Sequence, residues 1–102
     1  MTRQERKEAV ADLRALAAEF DAAAARAYTL ADEDQRRHDA RTLRMVAVLV
    51  SAFRPKGAAT DRGFADLWLS AGRKMLAYYD AVDMDAVHES RSGRRDAKGT
   101  GR

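Results

Sequence analysis

The residues that could do chemistry in this sequence are few and poorly grouped. Asp34 and His38 stand four apart, the spacing at which two side chains on one helix can share a metal ion. Two ligands leave a coordination shell incomplete, and no third lies at a useful spacing, so a solvated histidine is expected. Asp80, Asp83, Asp85, His88 and Glu89 form a denser oxygen-rich run. It lacks the glycine and the terminal glutamate at the offsets of a calcium loop, so it reads as a helix end with solvated charges. Ser51 and Ser70 have no histidine at a local spacing, and the stretch from Arg54 to Gly63 lacks the Gly-Lys-Ser/Thr ending of a phosphate loop. No catalytic, cofactor-binding or metal-binding residue is expected, and the chain does not read as an enzyme.

Two further groups have chemistry of a binding kind. Arg37, Arg41 and Arg44, beside Arg36, project onto one helical strip. Such a strip suits phosphates or an acidic partner surface, but the same side chains can pair with Asp34, Asp39 or acids of a neighbouring helix. Trp68, Tyr78 and Tyr79 lie at helical spacing on one apolar face and are expected in the core rather than as stacking platforms. Gly72, inside the same pattern, is expected to permit a close helix crossing.

The elements that must position these groups are all helices. No stretch alternates apolar and polar residues as a half-buried strand does, and Pro55 is the only proline. Thr2 with Glu5 has capping-box spacing and opens a first helix over about 3–30, whose apolar seam runs Val10, Leu13, Ala17, Phe20, Ala24 and Ala27, flanked by Leu16 and Tyr28. Asp32 with Gln35 repeats the pattern and predicts a second helix over about 33–54, ended by Pro55 and Gly57. Thr60 or Asp61 is expected to cap a third over about 61–82. Phe64, Leu67, Trp68, Ala71, Met75, Tyr78, Tyr79 and Val82 form its principal apolar face, with Leu69 and Leu76 on a second edge. The architecture expected is an all-α, three-helix antiparallel bundle with coiled-coil-like seams.

The chain has 102 residues and no cysteine. Disulfides and thiolate metal sites are therefore excluded. The first eight residues are charged from the outset, which reads against a secretory signal, and the longest apolar stretch, Met45 to Phe53, is too short to cross a bilayer. A cytoplasmic protein without membrane contact is expected. From Met1 to Glu89 there are 14 Lys and Arg against 15 Asp and Glu, a net of −1, whereas Ser90 to Arg102 holds 5 against 1, a net of +4. The basicity belongs to Arg91, Arg94, Arg95, Lys98 and Arg102. That segment has no apolar residue larger than alanine and is expected to be a disordered basic tail behind a helical domain of residues 1–89.

Helices 2 and 3 each carry apolar residues over about 200° of their circumference, more than a narrow helix 1 can cover. A second copy of the chain is the simplest cover, with Leu49, Phe53, Leu69 and Leu76 expected at the dimer interface. The function expected is a small protein-interaction module, an adaptor, regulator or inhibitor that recognises another protein. The second expectation is an accessory nucleic-acid-binding protein that grips phosphates with the tail and the Arg37/Arg41/Arg44 strip.

Overall fold

The computed structural model describes residues 2–52 and 58–99, with side chains described for 2–52 and 62–87. Three helices follow in order: α1 (Arg3–Ala25), α2 (Leu30–Ala52) and α3 (Ala58–Gly99). The opening cap is as the sequence implies, with the Glu5 backbone N–H donating to Thr2 Oγ1 at 3.1 Å. α1 stops at Ala25 rather than near residue 30, and α2 begins three residues before the expected start. The cause is Thr29, whose hydroxyl accepts from the Asp32 N–H at 3.1 Å while its carbonyl accepts from the Glu33 N–H at 3.0 Å. Thr29 thus displaces the Asp32/Gln35 box as the N-terminal signal. Phe53, assigned above to the dimer interface, lies outside the described residues.

α1 and α2 form an antiparallel hairpin. Small residues make the tight seam possible: Ala17, Ala23, Ala24, Ala40 and Ala47 are all buried, so the two backbones approach with little side chain between them. Arginines close both ends of the hairpin. Arg6 donates to the Val50 carbonyl at 2.8 Å and Arg36 to the Ala23 carbonyl at 2.9 Å. Each supplies a donor to a carbonyl in the last turn of the facing helix, the Ala23 carbonyl also accepting the Arg26 backbone N–H at 3.1 Å.

α3 runs alongside α1 in the same direction and antiparallel to α2. Its inner face is Ala65, Leu69, Gly72 and Tyr79, buried, with Leu76 partly buried against the same core. A Cβ built on Gly72 would stand 2.6 Å from Leu16 Cδ2. The glycine therefore permits the close crossing expected of it. The core these helices share is Val10, Leu13, Leu16 and Phe20 from α1, Leu43, Val46 and Val50 from α2, and Leu69 and Tyr79 from α3. Each large side chain buried there contributes about 1.5–3 kcal/mol.

The two ends of α3 differ from the expected 61–82. It begins at Ala58, and it does not stop at Val82. No proline follows, the first glycine after that point is Gly93, and Asp83 is bound to Arg36, so nothing breaks the helix as it leaves the bundle. The described backbone is helical as far as Gly99, through most of the stretch expected to be a disordered tail. Residues 100–102, including Arg102, lie outside the described residues.

Candidate functional site

The most elaborate polar site is structural. Arg36 is 1% exposed and sits where all three helices meet. Its guanidinium donates twice to the Asp83 carboxylate, at 2.8 and 3.0 Å, and once to the Ala23 carbonyl. It also stacks 4.6 Å from the centroid of the Tyr79 ring. The bond to Asp83 raises the guanidinium's pKa further above its ordinary value, against the opposing effect of burial. Tyr79 packs edge-on against Phe20 with centroids 5.9 Å apart, and its hydroxyl donates to Asp39. Burial, then the bond to Asp39, pushes the Tyr79 phenol well above its ordinary value of 10.0. Asp39 also accepts from Gln35 at 3.1 Å. A fork-shaped cation held by a carboxylate, a carbonyl and a ring fixes the register of three helices; it presents no reactive atom to solvent.

The remaining expected groups resolve as follows. Arg37 pairs with Glu33 at 3.0 Å one turn away, and Arg44 pairs with Asp21 of α1. Arg41 alone of that strip has no partner among the described residues. Asp80 pairs with Arg26 at 3.4 Å, and Asp83 is occupied by Arg36. Two members of the acidic run are thus held by arginines, the side chains of His88 and Glu89 lie outside those described, and among the described residues no group of three His, Asp or Glu side chains is placed to hold a metal. No helix among the described residues is long and apolar enough to cross a membrane.

The expected roles of the two edges of α3 are exchanged. Leu69, assigned to a dimer interface, is buried in the core, and Leu76 packs against it. Conversely Phe64, Leu67, Met75 and Tyr78, assigned to the principal core face, are exposed, Leu67 at 65% and Tyr78 at 61%. The reason is steric: the edge with Ala65 and Gly72 can come close to α1, whereas the bulky edge cannot. Of the three aromatic residues expected in the core, Tyr79 is buried, Trp68 is half-buried and Tyr78 is outside. Leu49 remains exposed on α2, beside Met45 and Val48.

Among the described residues, grooves of different chemistry result. Between α2 and α3 lies an apolar groove of about 160 Å³, walled by Leu43, Trp68, Ala71 and Met75 with Phe20 at its floor and Asp39 and Thr42 on its rim. Between α1 and α3 the lining is acidic, with Glu5, Glu8, Asp12 and Asp66 around Arg62, which bonds to Glu5. Between α1 and the end of α2 the lining is basic, with Arg3, Arg6, Lys7 and Arg14. The basic group was not singled out in the sequence, although its spacing of four and seven residues is a helical one.

No known protein-family model matches the chain, and no curated protein or solved structure is significantly similar to it. What can be assigned is therefore a class defined by architecture and surface: an all-α three-helix bundle with an open apolar groove on one flank.

Proposed function

We propose that the protein is a small interaction module that acts by binding another protein, with a second copy of itself as the first partner and the α2/α3 flank as the docking face. The observation that carries this reading is the outer face of α3. Phe64, Leu67, Met75 and Tyr78 are exposed at helical spacing on one side of α3, and Met45 and Leu49 are exposed on α2. So many large apolar side chains exposed on one helix are uncommon on a monomer and cost solubility unless something covers them. The α2/α3 groove is smaller than the roughly 300 Å³ at which small-molecule sites begin. It is the right size for one or two anchoring side chains of a partner helix, the usual core of a binding hot spot. Two copies related by a two-fold axis would lay α2 and α3 of one against α2 and α3 of the other, burying both faces at once. Leu49 is exposed and available to that interface, whereas Leu69 is buried in the core and Leu76 is partly buried against it.

Light scattering at micromolar concentration tests this. The expected mass is twice the chain mass of 11.3 kDa; a mass that stays at one chain would set the reading aside. The absence of cysteine fits work in a reducing cytoplasm. The tail reading, with Arg91, Arg94, Arg95, Lys98 and Arg102 gripping phosphates, stands second. The pairing of Arg37 and Arg44 within the bundle weakens the strip it relied on.

A further inference from the structure

We propose that the α1/α2 groove is a phosphate-binding surface for double-stranded nucleic acid, which grips the backbone without reading its sequence. The groove is an open cleft of about 710 Å³ along the first half of α1, closed at one end by Ser51 of α2. Arg3, Lys7 and Arg14 line it and fall on one strip, successive members about 6 and 10.5 Å apart along the helix axis at 1.5 Å per residue. None of the three has a hydrogen bond or ion pair among the described residues. Elsewhere on the hairpin most arginines are paired: Arg26, Arg36, Arg37 and Arg44 each hold a carboxylate, and among the described residues Arg41 does not. Among the described residues no carboxylate lines this cleft, because the acids of the same stretch of α1 face α3 instead. Arg3, Lys7 and Arg14 are therefore uncompensated among the described residues, at spacings set by one helix.

The occupant follows from what the cleft has and lacks. An acidic peptide gains affinity chiefly from an anchoring side chain in an apolar pocket; among the described residues the only sizeable apolar one lining the cleft is Val10, itself buried. Single-stranded nucleic acid is held by stacking its bases on aromatic side chains, and among the described residues no aromatic lines the cleft. A duplex needs neither, since its regularly spaced phosphates supply the sequence-independent part of binding. This cleft shares no lining residue with the apolar groove, so its test is independent of the dimer.

The test uses the full chain and a fluorescently labelled 20-base-pair mixed-sequence duplex, read by anisotropy between 50 and 200 mM salt. Three phosphate contacts correspond to a slope of about −2.7 in log K against log salt, a roughly 40-fold weakening over that range. The triple variant Arg3→Gln/Lys7→Gln/Arg14→Gln, in which only exposed and unpaired side chains change, is expected to keep the wild-type melting curve and to lose about that much slope. Neutralising Arg91, Arg94, Arg95 and Lys98 instead is expected to leave this part of the slope in place. Absence of duplex binding at 50 mM salt would overturn the proposal. So would a triple variant that binds as wild type, or a poly-glutamate peptide that binds as tightly as the duplex.

Discussion

The two faces of α3 are built on opposite rules. The inner face carries small or polar residues at its closest points, Ala65, Gly72 and Asp83, and spends its larger ones, Leu69 and Tyr79, on specific partners in α1 and α2. The outer face carries Phe64, Leu67, Met75 and Tyr78, all large and all exposed. The difference teaches that hydrophobicity alone does not decide which face of a helix a bundle buries. Packing density does: a helix sinks deepest where its side chains are smallest, and the bulky face is left for whatever else can cover it.

The sharpest way to break the comparison is to attack the polar anchor of the inner face. Arg36→Met leaves Asp83 without its cation in a largely buried position and is expected to cost about 3–5 kcal/mol, a large part of the stability of a domain this size. The double variant Arg36→Met/Asp83→Leu is expected to recover much of that loss, because no charge is left stranded. Urea denaturation of the four proteins of the cycle gives the coupling directly. A loss in Arg36→Met below about 1 kcal/mol would mean that the site is wetter than its 1% exposure implies.

Next in size is a matched pair of leucines two residues apart. Leu69→Ala removes a buried side chain and is expected to cost about 2–5 kcal/mol. Leu67→Ala, at an exposed position, is expected to stay within about 0.5 kcal/mol when the dilute protein is unfolded. Equal losses would erase the distinction between the faces.

The smallest effect concerns Tyr79. Replacing it with phenylalanine removes the hydroxyl that donates to Asp39 and is expected to cost about 1–2 kcal/mol near neutral pH. The folded protein holds the phenol proton above the ordinary value of 10.0, so the stabilisation is full below pH 10 and declines as the unfolded chain begins to release that proton. Denaturation midpoints at pH 8, 9.5 and 11 should show the gap between wild type and Tyr79→Phe narrowing at the top of the range. A gap that widens there would reverse the assigned direction.

The helical class, the cap at Thr2, the α1 seam and the need for Gly72 were legible because each rests on local chemistry: a hydroxyl three residues from a carboxylate, a period of three and four, a residue without a Cβ. The choice between the two apolar edges of α3 was not, since both satisfy the same periodicity and only the partner helix distinguishes them. Arg36 was hidden for a similar reason. In the sequence it is one of four arginines within nine positions, and what separates it from Arg37 is Asp83, 47 residues away. The α1/α2 turn was misplaced because Thr29 and Asp32 both begin plausible caps, and the choice depended on where α1 ended.

Sedimentation equilibrium of wild type beside Leu67→Glu/Tyr78→Glu tests the central claim, that the outer face of α3 is a docking face, most directly. Both substitutions fall on exposed side chains, so circular dichroism should report an intact helical fold for the variant. The wild type is expected to sediment as a dimer at micromolar concentration and the variant as a monomer. A variant that remains a dimer, or a wild type that is monomeric at every concentration, would contradict the account.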